Sequence, residues 1–290
     1  MANIINAIIN LIENSAIDLN GDKDLIRNRA NGMGKALEEY VKDLFAGTIN
    51  ETDEMERILK QSEIFSYSGN QSNPPDFMIR GGDAVEVKKL EKRGSALALN
   101  SSYPKNKLYS DSKMITKFCK KCEEWNVKDI IYAVGVVGKN KKTLESLVFV
   151  YGEDFAASKE VYEKLILKVR NGITRIPDLE CGDTKELGRV NSVDPLGITY
   201  LRVRGMWGVE NPFKIFSYIY ETDPNYDFNF MAIISEEKWN KLDNRAELER
   251  LVENTENANI SKEKIKNPDN PAVLKNVYLI TYKRNGEMFE

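Results

Sequence analysis

The chain has 290 residues, a net charge of −3, 41% hydrophobic and 30% charged residues, a mixture expected of one large or two small soluble domains with no membrane span. It contains no histidine, which excludes Ser-His-Asp and Cys-His nucleophile chemistry, HExxH zinc proteases and histidine-based nucleases. Three cysteines cannot all pair, and so few thiols in so long a chain point to a reducing compartment, the cytoplasm.

Ile4, Ile5, Ile8, Ile9 and Ile12 recur at helical spacing, so the opening is expected to be an amphipathic helix packed on the core, not a signal peptide. A second helix is predicted over Gly34 to Phe45, after a Gly-x-Gly, with Leu37, Tyr40, Val41, Leu44 and Phe45 on one face. Short strands follow at Asp76 to Ile79 and Ala84 to Lys88, joined through Arg80-Gly81-Gly82-Asp83, a hairpin signal. A helix over about Ser112 to Trp125 leads into apolar strands at Ile130 to Val137 and Leu147 to Tyr151, and Ser158 caps a helix running to about Val169. Gly182 to Asp194 reads as a polar separator. Strands are then predicted at Ile198 to Arg204, Phe213 to Tyr220, Phe230 to Ile234 and Val277 to Tyr282, with a helix from Ser235. Asn254 to Pro271, rich in Asn, Lys and Pro, reads as an exposed connection. The fold class is therefore α/β or α+β, a mixed central β-sheet flanked by helices. Cys119 and Cys122 form a CxxC, but only Cys181 remains to join them and no imidazole completes a tetrahedral zinc site. Ordinary helix positions and a redox pair both fit that spacing.

Pro75-Asp76 is followed after nine residues by Glu86-Val87-Lys88. Two carboxylates beside a lysine are what hydrolysis of a phosphodiester needs when histidine is absent. Asp76 and Glu86 would hold Mg²⁺, a hard cation that prefers oxygen ligands, and Lys88 would orient or help deprotonate the attacking water and stabilise the transition state. Acid-x-Lys also occurs at Asp111, Asp183 and Glu236. The first instance differs because Val85 and Val87 alternate with Glu86 and Lys88, which sends the polar pair to one face of a strand. A solvated hairpin is the alternative. On the preceding helix Glu39 points nearly opposite the apolar face, whereas Glu38 lies about 100° from Leu37, so Glu38 either reaches the site or is a rim carboxylate. A strict two-residue turn at Gly81-Gly82 would set Asp76 opposite Val87, on the wrong face, so the assignment requires an odd loop, a bulge or a bend.

From Ala84 to Lys121 ten basic residues face three acidic ones, a basic patch directly after the proposed catalytic strand, although a solvated helix face is equally consistent for its last part. Lys89, Asn100, Ser101, Ser102 and Lys105 are candidates for contacting DNA there. Arg202 and Arg204 share a strand face near Trp207, with Asn211 close behind. Arginine pairs bidentately with guanine, so they are candidate base readers or else plain surface arginines.

These residues resemble the PD-(D/E)xK nucleases, and within them the NgoPII restriction endonuclease family. The likeness is carried by Asn3-Ile4-Ile5-Asn6-Ala7-Ile8-Ile9-Asn10-Leu11, by Gly34-Lys35-Ala36-Leu37-Glu38-Glu39-Tyr40-Val41, and by the Pro75 to Lys88 block with Leu99-Asn100-Ser101-Ser102-Tyr103-Pro104. It runs over most of the chain. The resemblance implies a restriction-endonuclease-like core, Mg²⁺-dependent double-strand cleavage at a short palindrome, GGCC, and a partner DNA methyltransferase. It also implies Asp76 and Glu86 as metal ligands, Lys88 as the catalytic lysine and Glu38 as the helix carboxylate. The expected organisation is one nuclease domain over residues 1–290, with a catalytic core at about 30–170 and recognition elements within about 95–110 and 171–290. A palindrome cut on both strands matches a homodimer. A structure-directed repair or junction nuclease of the same class and a non-catalytic DNA-binding protein are the competing readings.

Overall fold

Asn3 caps the first helix, α1 (Ile4–Glu13): its side chain accepts from the Ile5 and Asn6 amides, and its own amide donates to Asn6 Oδ1. The computed structural model describes residues 2–14, 33–70, 73–99, 102–138 and 143–285. The isoleucines of α1 are buried, and they pack against α2 (Met33–Ala46) through Leu37, Tyr40, Val41, Leu44 and Phe45, as the periodicity predicts. Next comes α3 (Glu54–Ile64), which the sequence reading lacked. Its face is mostly polar, and it is tied down by charge more than by apolar surface.

Strands β1 (Phe65–Asn70), β2 (Asn73–Ile79) and β3 (Ala84–Leu90) form an antiparallel set. The two-residue β4 (Leu97–Ala98) and β5 (Lys107–Tyr109) follow, then α4 (Lys117–Lys121). This helix covers less than half of the stretch predicted between Ser112 and Trp125. Thr116 caps it, and Ser112 closes a local turn instead. The long strands β6 (Val127–Val137) and β7 (Leu144–Tyr151) are buried, followed by α5 (Gly152–Phe155) and α6 (Lys159–Thr174). Ser158 stands at the N-cap of α6, but its side chain makes no capping hydrogen bond.

The polar separator contains the strand β9 (Gly188–Asn191), which makes a small sheet with β8 (Glu180–Cys181), just before the separator, and β10 (Leu201–Val203), inside the strand expected at Ile198 to Arg204. β11 (Gly208–Val209) pairs with β4. The run Phe213 to Tyr220, expected as a strand, is instead the short helix α7 (Pro212–Ile215) and turns, because Asn211 caps it and Pro212 opens it. β12 (Phe228–Ser235) and α8 (Glu236–Lys241) match expectation, with Ser235 capping. After α9 (Arg245–Glu253), the presumed connection is in fact β13 (Ala258–Asn267), paired along its whole length with β14 (Asn270–Arg284). Its polar, largely exposed side chains suit an edge strand, which hides it from a reading based on apolar periodicity.

Among the described residues nine strands form one mixed sheet, in the order β1-β2-β3-β6-β7-β12-β14-β13 with β5 beside β6. β3 runs parallel to β6 and β7 parallel to β12, and the other pairs are antiparallel. One face is covered by α1, α2, α8 and α9. The other is covered by α4, α5, α7 and the chain around Leu97 and Leu108. Gly135 of β6 lets α2 approach closely, since a Cβ there would meet the Leu37 methyls at 2.7 Å and 2.9 Å. No helix among the described residues is long and apolar enough to cross a membrane.

Candidate active site

The β2–β3 hairpin decides whether two carboxylates meet. Phe77 pairs with Val85, Met78 with Ala84, and the Ile79 amide donates to Asp83 O at 2.9 Å. The loop is therefore the three residues Arg80, Gly81 and Gly82, and Gly81 supplies its positive φ of 67°. This odd count meets the requirement that the sequence imposed: continuing the register sets Asp76 opposite Glu86, on the face of Met78 and Ala84. The turn is clamped from outside. Glu123 accepts from the Gly81 amide, and the buried Lys128 ammonium donates to Gly82 O at 2.6 Å while pairing with Glu123.

The strands then part. Gly69 of β1 has no side chain where a Cβ would lie 2.3 Å from Pro75 O, so β1 and β2 run close there. The Asp76 carboxylate takes over the ladder by accepting from the Val87 amide at 2.6 Å. Glu86 is 9% exposed; its Oε1 accepts from Lys88 Nζ at 2.5 Å, and its Oε2 is buried with no hydrogen-bond partner. Burial and the neighbouring Glu86 push Asp76 up to about 7, against the pull of Lys88 and the Val87 amide. Burial lowers the Lys88 pKa, but Glu86, Asp76 and Glu38 outweigh it and hold the ammonium above its ordinary value. A buried carboxylate pair with one orphaned oxygen fits a hard divalent cation, which needs few protein ligands and keeps waters.

Glu38 comes from α2, across the sheet, and its charge reaches both Asp76 and Lys88. It is held by Lys42 at 2.7 Å, and Lys42 also pairs with Glu39 at 3.1 Å. Glu39, expected to face solvent, is instead covered by α3: Arg57, 2% exposed, binds Glu39 at 2.7 Å and Asp43 at 2.7 Å and 3.1 Å. The sequence signal for this was a lone arginine in a polar helix, which has no distinguishing pattern.

Around the pair, Lys89 projects to the other face of β3 and contacts Glu91 at 3.5 Å. Ser102 accepts from Lys105 Nζ at 2.5 Å, and Lys105 is buried. Burial draws the Lys105 pKa down to about 8, although the charge of Glu86 opposes this. Asn100 and Ser101 lie outside the described residues. Arg202 and Arg204 are exposed and both bind one carboxylate, Glu186, at 2.6 Å and 2.5 Å. Arg202 stands on β10 and Arg204 just after it, in a different sheet from the strands of Asp76 and Glu86. Trp207 is half-buried, edge-on to Tyr103 and Tyr162. Asn211 is fully buried; its side chain accepts from the Phe213 amide and donates to Arg93 O at 2.6 Å, so both ends are committed to the fold. Cys119 is buried with its thiol pushed up to about 12, and none of the three cysteines is in a disulfide, which fits ordinary packing positions.

The model of the NgoPII restriction endonuclease family matches residues 2–266. The chain is 55% identical, over 280 residues covering 97% of it and 99% of the relative, to the type II restriction enzyme NgoPII of Neisseria gonorrhoeae. No solved structure matches it.

Proposed function

From the premise that the chain belongs to the NgoPII restriction endonuclease family, and is thus a type II site-specific deoxyribonuclease, we propose that Asp76, Glu86, Lys88 and Glu38 form its cleavage site. Family membership sets aside the structure-directed nuclease and the non-catalytic binding protein. Type II restriction enzymes generally use divalent metal ions, and the orphaned Glu86 oxygen beside Asp76 supports these two as the ligands, with Mg²⁺ as the ion. Bound Mg²⁺ supplies a water of lowered pKa and offsets charge on the phosphate.

The protein's own groups do the rest. Lys88, paired with Glu86 Oε1, orients or helps deprotonate the attacking water and stabilises the negative charge that grows at the phosphate. Glu38, held by Lys42, adds its negative charge to those of Glu86 and Asp76 around Lys88. Ser102 and Lys105 are proposed phosphate contacts beside Asp76 and Glu86, joined by Asn100 and Ser101; Lys89, turned to the other face of β3 and paired with Glu91, does not share that face. Arg202 and Arg204 are the base-reading candidates for a G/C-only site such as GGCC. Asn211, committed to Arg93 and Phe213, supports the recognition segment from inside.

We read residues 1–290 as one nuclease domain, with the catalytic core at about 30–170 and recognition elements within about 95–110 and 171–290. A homodimer is proposed on a palindromic site. It is supported by large apolar side chains that face outward on α6, among them Leu165 at 50% exposure and Leu167 at 59%, and in the loops flanking β10, among them Leu196 at 81% and Met206 at 79%. Work on cytoplasmic DNA, with a methyltransferase protecting the host, completes the reading. The test is a plasmid of known sequence incubated with the protein in Mg²⁺ and in EDTA, beside Lys88→Ala. Discrete Mg²⁺-dependent ends at one palindrome, lost in the variant, are expected; full activity of Lys88→Ala refutes the site.

A further inference from the structure

Lys105 carries a charge that the fold does not compensate. It is 7% exposed, yet among the described residues its ammonium has a hydroxyl and a ring for company, Ser102 Oγ at 2.5 Å and the Tyr103 ring centre at 5.0 Å, and no carboxylate within ion-pair distance. Its loop is rigidly seated. The Lys105 amide donates to Tyr132 Oη at 2.7 Å, and its carbonyl packs where a Cβ on Gly152 would come within 2.4 Å. Tyr132 is the register partner of Glu86 on the neighbouring strand, and the Glu86 charge reaches Lys105. The loop thus holds an ammonium over the same sheet face as Asp76 and Glu86.

An ammonium withdrawn from water without a fixed counter-anion destabilises a fold, and such groups gather where a ligand brings the missing charge. DNA brings that charge. The two lysines are not redundant, because Lys88 already spans to Glu86 Oε1 while Lys105 pairs with no acid among the described residues.

We propose that Lys105 is a second catalytic lysine, whose ammonium binds a non-bridging oxygen of the phosphate being cut and stabilises the charge that accumulates there as water adds. This rests on the assignment of Asp76, Glu86 and Lys88 as the cleavage site and deepens it.

The experiment uses the full-length protein and a short duplex carrying the site mapped on the plasmid. Single-turnover cleavage in Mg²⁺ is compared for wild type, Lys105→Met, Lys105→Arg and Lys88→Ala, and duplex affinity is measured with Ca²⁺ in place of Mg²⁺. At saturating protein Lys105→Met should cleave roughly 100-fold or more slowly and also bind the duplex more weakly, and Lys105→Arg should recover part of the rate. A methylphosphonate at the cut phosphate, which removes its charge, should weaken binding by wild type and weaken Lys105→Met much less. A rate within threefold of wild type, or equal methylphosphonate penalties, overturns the inference. Lys105→Gln replaces Lys105→Met if melting shows that variant unfolded. Retained cleavage by Lys88→Ala would instead sink the underlying site, a result separate from any effect at Lys105.

Discussion

The Asp76 carboxylate accepts from the Val87 amide at 2.6 Å, so a side chain completes the β2–β3 ladder at the point where the backbones part. The same contact holds Asp76 beside Glu86, and burial with that like charge raises its pKa from an ordinary 3.8 to about 7. The folded state therefore binds this proton more tightly than the unfolded chain. Its contribution to stability is full below about pH 4 and is lost as pH rises through about 7. In metal-free protein Asp76→Asn should melt above wild type at pH 8, lose that advantage near pH 4, and abolish cleavage. Calorimetry at the two pH values decides it, and no gain at pH 8 would count against the charge account.

Gly135 leaves room for α2 to carry Glu38 toward the site. A Cβ there would meet the Leu37 methyls at 2.7 Å and 2.9 Å and a Leu144 methyl at 3.0 Å. Gly135→Ala should lose about 1–3 kcal/mol by overpacking and slow cleavage. Adding Leu37→Ala should restore part of both, measured by urea unfolding and single-turnover rates.

Arg57 joins α3 to α2 by holding Asp43 and Glu39 in a buried position. Arg57→Met leaves Asp43 without its cation and Glu39 with Lys42 alone, and should destabilise by about 3–5 kcal/mol. Arg57→Lys should recover little, since the fork to Asp43 needs a planar guanidinium. Urea midpoints of the three proteins provide the check.

Arg202 and Arg204 share Glu186, and at side-chain exposures of 49% and 61% that pairing adds little to stability. Glu186→Gln should leave melting unchanged and alter DNA affinity. Arg204→Ala should weaken binding to a duplex containing the target more than to one lacking it; equal losses would leave these arginines as phosphate contacts or surface charge.

Burial draws the Lys105 pKa to about 8 while the unfolded chain keeps it near 10.5. Between those values the unfolded state holds more protons, so stability rises with pH. Lys105→Met should be the more stable protein at pH 7, with the gap closing near pH 10.5. Melting across that range tests it, and a variant less stable at pH 7 contradicts the picture of an uncompensated charge.

Much of the core was legible because burial imposes a period. The isoleucines of α1, the Leu37 face of α2 and the apolar runs of β6, β7 and β12 announce themselves at 3.6- or 2-residue spacing. Elements held by polar contacts were not. β13 is an exposed edge strand, α3 is fastened by Arg57, and the Phe213 run turns helical after the Asn211 cap. Cap and edge contacts leave no repeating signal.

The same division governs the site. Absence of histidine, the Asp76, Glu86 and Lys88 spacing and the alternation with Val85 and Val87 are properties of the linear chain, and they determined the type of chemistry to expect. Whether Asp76 shares a face with Glu86 depended on one residue of loop length, since each step of register reverses the side chain. Only the folded hairpin, with Gly81 turned and Lys128 clamping it, decided that. Likewise Lys105, nineteen positions beyond Glu86 in the chain, becomes its neighbour through Tyr132 on an adjacent strand. Such proximity is a property of tertiary packing, because strand pairing joins residues without regard to their separation in sequence.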